Sequence, residues 1–358
     1  MENFRKSSKK LEKIGQGFCG TVWSEDGGAL VVKRADGGPG RSLPNESYIH
    51  TQVLSALTEY SAEQTHLKDV RTQDDENKYE EKKCESLSRI KVNIPLHVAF
   101  LEQTSALWPS ILPRLPEGFT ACEALISERI PPMPLHVREL VAGRYCPSPQ
   151  QATQMARDRA NASCLIRPYL GRRRPAPNQQ GGPRQRFFSL RNFPLHADQM
   201  QELGLPVDDY ATAMAVGLAF LHWIARVDAG DVEYVLAPAR GGAEAKTAPF
   251  IGDVCLDSEA FGPHSMWILD FDCCRRLEMS AAGMRRAAMC FWRNDPFYPR
   301  PGAREERDQN MWEAFEERFL KMSDDMLRDE GEGVRALPGI LMSTIRDNRD
   351  TWTKSAIM

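Results

Sequence analysis

Three glycines, Gly15, Gly17 and Gly20, have the spacing of a turn that lies close over a ligand and aims backbone N–H groups at phosphate oxygens. Lys33 follows at the end of the apolar run Ala29-Leu30-Val31-Val32. Far along the chain, Asp228, Asp231 and Glu233 fall within one tight turn, and Asp270 and Asp272 flank Phe271 at the end of a second apolar run. Carboxylates grouped at strand ends suit Mg²⁺, which takes oxygen ligands and bridges phosphates. The residue types therefore point to phosphate chemistry assisted by a cation. Each also has a bland alternative. The glycines and Lys33 make a surface hairpin with a solvated lysine, and the carboxylates cap turns or pair with Arg240, Arg275 or Arg276.

These residues need elements to position them. In a dinucleotide fold the same glycine spacing opens a helix. Here Thr21, Val22 and Trp23 favour a strand, and Gly27-Gly28 supplies a hairpin turn. Residues 14–22 thus read as strand, turn, strand, with Val31-Val32-Lys33 in a further strand. Pro44 and Asn45 open a helix over 46–57, its apolar positions Ile49, Val53 and Leu57 at helical spacing. Glu46 lies in its first turn, where the helix dipole favours a carboxylate in any case. Residues 121–130 read as an inner strand, and Pro131-Pro132-Met133-Pro134 as a hinge where backbone groups can read a nucleotide base. Asp208 or Asp209 caps a helix to about Arg226, with Met214, Leu218, Leu221 and Ala225 on one face; His222 and Trp223 are packing residues. The Asp228 turn leads directly into a strand, and Ser265 to Leu269 form another. Consecutive core elements thus bring both carboxylate groups to one end of a sheet. A rigid aromatic–proline loop, 291–301, precedes a helix with Met311, Phe315, Phe319 and Met322 on one face, and a last helix lies near 337–345.

At 358 residues the chain can bury a large core and divide in two. A net charge of −3 gives no global argument for a nucleic acid or an anionic membrane. No apolar run is long enough to cross a bilayer, and the polar N-terminus lacks the apolar centre of a signal peptide, so a cytoplasmic (intracellular) protein is expected. The nine cysteines include no C-x-x-C pair, which leaves free thiols and no zinc ribbon as the expectation. Two stretches stand apart. Residues 58–91 are dense in charge and read as a flexible insertion or a solvated helix. Residues 167–191 carry Arg167, Arg172, Arg173, Arg174, Arg184, Arg186 and Arg191 with no acidic residue among them. That run is a solvated loop, or an RNA contact in which arginines meet phosphates and Phe187-Phe188 stack on bases.

Taken together, these residues resemble the protein-kinase fold. Gly15, Gly17, Gly20, Lys33 and Glu46 match its small lobe; Phe220-Leu221-His222-Trp223, the Asp228 turn and Leu269-Asp270-Phe271-Asp272 match its large lobe. The resemblance implies an α+β two-lobe fold, with a β-rich N-lobe over 1–134 and a mainly helical C-lobe over 135–358. It implies that the three glycines, Lys33 and Glu46 bind an ATP-type nucleotide, that Asp270 and Asp272 hold Mg²⁺, and that Asp228, Asp231 and Glu233 are the catalytic carboxylates. The departures are specific. Ala229 stands where the catalytic aspartate belongs, Tyr234 where the asparagine belongs, and Asp272 replaces the glycine after Asp270-Phe271. Asp228 or Asp231 then substitutes as base and Glu233 as second metal ligand.

Residues 205–325 also resemble a family of uncharacterised fungal proteins, catalogued by a domain of unknown function and labelled "zinc-finger". The match lies in Leu221-His222-Trp223, the 228–233 turn, Trp267 to Phe271 and Asn294-Asp295-Pro296-Phe297-Tyr298-Pro299-Arg300-Pro301. Cysteine spacing does not support that label, and no zinc is expected. Three functions stay open. One is an atypical kinase-like transferase using ATP and Mg²⁺ on a small-molecule or protein acceptor, with a place in fungal secondary metabolism. The second is an inactive pseudokinase binding module. The third is tRNA-dependent aminoacyl transfer of the kind performed by arginine-containing cyclodipeptide synthases, where the arginine-rich stretch contacts tRNA and the carboxylates hold an arginine side chain.

Overall fold

The glycine turn joins two strands of an antiparallel sheet in the computed structural model, which describes residues 1–71, 92–175, 188–240 and 256–349. The strands are β1 (Leu11–Gln16), β2 (Thr21–Glu25), β3 (Leu30–Arg34), β4 (His97–Leu101) and β5 (Ala124–Glu128), in the order β1-β2-β3-β5-β4. Side chains alternate across a strand. Val32 is therefore buried with Leu11, Trp23 and Ile126 on one face, while Val31 and Lys33 point to the other. Gly20 has φ +145°, and a Cβ there would lie 1.9 Å from the Arg34 carbonyl oxygen, so only glycine fits. The expected turn at Gly27-Gly28 is present, with Gly27 at φ +65° and Gly28 N–H donating to Glu25 O.

A second sheet has the order β7-β6-β8-β9, from β6 (Ile166–Tyr169), β7 (Phe193–His196), β8 (Glu233–Ala237) and β9 (Ser265–Leu269). β6 and β7 run parallel, and the other pairs antiparallel. These two strands begin and follow the arginine-rich stretch, which the sequence reads as loop; their inward residues Ile166, Phe193 and Leu195 are too few to show a period. Arg184, Arg186 and Phe187 lie outside the described residues. The β8–β9 register pairs Glu233 with Leu269, which places Asp270 one residue beyond the start of β8.

The Leu43–Arg71 helix takes up the first part of the charged stretch, while 72–91 lie outside the described residues. Its Ile49, Val53, Leu57 and Tyr60 enter the largest core, together with Met214, Trp223, Phe315 and Phe319. Burying each such side chain stabilises by about 1.5–3 kcal/mol, so this packing fixes the helix, and Glu46 with it. The Val207–Ala219 helix is buried on nearly every side, as a helix apolar all round must be, and passes into a π-helical turn, Phe220–Ile224. Its N-cap is Pro206; Asp208 and Asp209 occupy the first turn and neither side chain caps it, because the proline sets the entry of the chain. Trp223 Nε1 donates to Ser323 Oγ on the Glu306–Met326 helix (2.6 Å), which carries the expected Phe315–Met322 face. The last helix is Leu337–Asp347. Among the described residues no helix is long and apolar enough to cross a membrane.

Candidate functional site

A cleft of about 520 Å³ opens between the glycine turn, β3, the start of the Leu43–Arg71 helix and the turns that flank β8 and follow β9. Small-molecule sites have volumes of about 300–1,000 Å³. Gly15, Gly17, Gly20, Lys33, Glu46, Asp231, Glu233, Asp270 and Asp272 all line it. Of the ten residues read from sequence as catalytic, nucleotide-binding or metal-binding, Asp228 alone does not.

Lys33 is the centre of the arrangement. Its Nζ lies 2.7 Å from Glu46 Oε2 and 2.8 Å from Asp270 Oδ1, joining three elements that are distant in sequence. Burial works against its charge, but Glu46 and Asp270 outweigh burial and hold it protonated, far above the ordinary lysine range. Burial pushes Glu46 up to about 7, against the pull of Lys33. Asp270 has φ +65°, Asp231 +60° and Asn192 +48°, so three non-glycine residues on the cleft wall hold a left-handed backbone. Such strain concentrates where surrounding contacts dictate the geometry.

The other carboxylates are bound by arginines. Asp231 accepts from Arg41 Nη1 at 2.6 Å, and Asp272 accepts from the same nitrogen at 3.0 Å. Glu233 forms an ion pair with Arg167, which also approaches Asp295. Burial raises Glu233 to about 7 although Arg167 opposes the shift. Burial, then Asp270, raises Asp272 above the usual aspartate range. Tyr169 donates to Asp295 at 2.5 Å, so the floor of the cleft is a connected polar network.

Asp228 has another task. Its buried carboxylate accepts from the Arg275 amide at 2.8 Å and the Gly230 amide at 3.2 Å, closing the turn from within. Both amides meet the same oxygen, Oδ1, so the carboxylate ties the loop, and burial raises its pKa. Two asparagines, read from sequence only as a helix opener and as part of a family motif, complete the scaffold. Asn294 accepts from the Asp231 amide and donates to Ala229 O, and Asn45 donates to Asp272 O and Cys274 O. Neither has a local signal, because each acts on backbone far away in sequence. Arg41 was missed for the same reason.

The connection after β5 keeps few backbone donors for a base edge. The amides of Glu128 and Arg129 are taken by Leu96 O and Ala29 O, and Pro131 and Pro132 have none, so residues 128–132 leave at most one, that of Ile130. In the arginine-rich stretch, Arg173 binds Asp308, and Arg174 binds Asp198 and Glu202. Phe188 packs on Phe193.

Among the described residues one group of side chains could hold a metal ion: Asp231, Asp272 and Cys273 offer ligand atoms within 4.8 Å of one another. Residues 266–331 match the model of a domain-of-unknown-function family described as "zinc finger protein". No curated protein and no solved structure matches the chain. The family finding corrects the recognition of the chain as protein-kinase-like, and it leaves the expectation of no zinc without support. The segment has Cys273, Cys274 and Cys290 and no histidine. Cys274 is buried with its Sγ on Gly230 O, so these residues do not make a four-ligand finger. Cysteine spacing alone could not reveal this mixed carboxylate–thiol group, because Asp231 comes from a different turn.

Proposed function

We propose that the cleft binds an ATP-type nucleotide with Mg²⁺ and that the chain is an atypical transferase acting on a small-molecule or protein acceptor inside the cell. One observation carries this reading: a buried lysine, held protonated between Glu46 and Asp270, lies beneath a glycine turn. Bound Mg²⁺ would neutralise phosphate charge. Asp270 and Asp272 are the carboxylates to hold it, and Asp270 so engaged leaves Lys33 to face the phosphates. Gly15, Gly17 and Gly20 let the turn approach the ligand without a side chain intervening. Of the three catalytic candidates, Asp231 and Glu233 face the acceptor side, and Asp228 supports the turn. The reading carries with it a kinase-like two-lobe arrangement with the ligand between the lobes; membership of a kinase family is no part of it.

A second reading, aminoacyl transfer from tRNA, draws on a different observation. The cleft carboxylates already hold guanidinium groups, Arg41 on Asp231 and Asp272, and Arg167 on Glu233 and Asp295. They are therefore suited to the side chain of an arginine substrate. Titration calorimetry with ATP–Mg²⁺, followed by a turnover assay, separates the readings. Binding in the wild type and its loss in Lys33→Ala support the nucleotide reading. Binding without turnover reduces the chain to a pseudokinase-like module. No binding at millimolar ATP–Mg²⁺ overturns the nucleotide reading.

A further inference from the structure

Buried hydrogen-bond acceptors are nearly always paired, and the inner wall of the cleft holds one that is not. His50 follows Glu46 by one helical turn and shares its face of the Leu43–Arg71 helix. It lines the cleft, although only 4% of the residue is exposed. Its Nε2 lies 2.6 Å from Pro95 O. A carbonyl oxygen only accepts, so the proton sits on Nε2 and Nδ1 is left a bare acceptor. Burial keeps the ring neutral by lowering its pKa to about 4. No described residue donates to Nδ1, and the cleft is the space that His50 borders. The β4–β5 register sets His97 opposite Ser127, and the His97 ring lies 5.6 Å from that of His50, so Ser127 stands close to His50 on the same wall. Ser127 is small and lines the cleft, and its hydroxyl bonds to no described residue. Across the β3–β5 ladder Val31 pairs with Ser127, and Lys33 pairs with Leu125 one pleat further on. Phosphates held at Lys33 therefore leave a base over Val31 and Ser127, with its inner edge toward His50.

We propose that His50 reads the base from this inner wall, its Nδ1 accepting a hydrogen bond from an exocyclic amine that the small Ser127 admits. The cleft of the nucleotide reading, on which this proposal rests, then takes an amino-purine nucleotide of the adenine type. Side chains of the inner wall select it, where residues 128–132 keep at most one free backbone donor. A keto oxygen at the same position is rejected, because two acceptors would face each other across a dry contact.

The full chain is titrated by calorimetry with ATP–Mg²⁺ and with the Mg²⁺ complex of purine riboside triphosphate, which lacks only the amine. The wild type is expected to bind ATP about tenfold more tightly. In His50→Leu the two nucleotides are expected to bind equally. The ratio is taken within one protein, so a loosened Pro95 contact in the variant weakens both nucleotides alike and does not mimic this result. In wild-type protein carrying isotope-labelled histidine, ATP–Mg²⁺ shifts the His50 Nδ1 resonance and the analogue does not; this readout needs no variant to fold. Equal affinity for the two nucleotides in the wild type, an unchanged ratio in His50→Leu, or an unmoved Nδ1 resonance would each overturn the proposal. Any of these, with ATP–Mg²⁺ binding that Lys33→Ala abolishes, removes the proposal alone and leaves the nucleotide reading in place. No binding of either nucleotide overturns both.

Discussion

Replacing Lys33 by methionine should produce a stability defect that depends on pH in a specific way. In the wild type, Glu46 is raised from an ordinary 4.5 to about 7, with burial pushing up and Lys33 pulling down. A carboxyl raised on folding binds a proton in the native state that the unfolded chain has released. Its contribution is complete below about 4.5 and is lost as pH rises to about 7, at up to about 1.4 kcal/mol per pH unit. Lys33→Met removes the opposing cation and leaves burial unopposed, so the Glu46 pKa rises further and stability keeps falling past pH 7. At pH 6 the variant places a methionine beside a mostly neutral carboxyl, and the half-buried Asp270 keeps its contact with water, so the penalty is small. From pH 7 to 8.5 the penalty relative to wild type should grow by up to about 1.6 kcal/mol, since the half-protonated wild-type Glu46 still gives up about 0.4 kcal/mol over that range. Urea unfolding followed by tryptophan fluorescence at pH 6, 7 and 8.5 measures it. A penalty that stays constant across this range would refute the claim that the Lys33 charge keeps Glu46 ionised in a dry site.

Other contacts give sharp contrasts. Gly20→Ala should destabilise by more than about 2 kcal/mol, since its Cβ would strike the Arg34 carbonyl at a left-handed φ, whereas Gly17→Ala meets nothing within 4 Å and should unfold like wild type in the same urea titration. Asp228→Ala should cost about 2–3 kcal/mol by leaving the Gly230 and Arg275 amides unpaired, yet should leave the affinity for ATP–Mg²⁺, measured by calorimetry on the folded variant, unchanged. Burial lowers His222 to about 3, so the unfolded chain binds the proton first, and the histidine contributes stability above about pH 6.5 that is lost as pH falls. His222→Phe should therefore gain on wild type by up to about 1.4 kcal/mol per pH unit below 6.5, read from melting curves between pH 6.5 and 5.

What the sequence disclosed is what short-range rules govern. Gly20 needs a backbone that other residues refuse, Lys33 follows strand alternation, and Ile49, Val53 and Leu57 repeat at helical spacing, so the hairpin, the lysine strand and the first helix could be read in place. The meeting of Asp231, Glu233, Asp270 and Asp272 followed from two adjacent strands, and the β8–β9 register supplies the reason. What stayed hidden depends on long-range partners. Arg41 looks like one residue of a glycine-rich loop, and nothing local says that it reaches Asp231 and Asp272. Asp228 and Asp231 stand three positions apart with the same chemistry, yet one turns inward to backbone amides and the other lines the cleft. The β6–β7 pair was invisible because four-residue strands with a proline in each carry too little pattern. The Asp231, Asp272 and Cys273 group escaped notice because the neighbours of Cys273 in space are carboxylates, one of them from a different turn, which cysteine spacing does not register.

The central claim is that the Lys33 cleft receives nucleotide phosphates with Mg²⁺. The most direct test is the melting temperature of the purified chain with ATP–Mg²⁺, with ATP and chelator, with ADP, and with total tRNA, each at two salt concentrations, since a ligand that binds only the folded state raises it. The account predicts a rise with ATP that requires Mg²⁺ and disappears in Lys33→Ala and Asp270→Ala. No response to any nucleotide, together with a salt-sensitive response to tRNA, would contradict it and favour aminoacyl transfer.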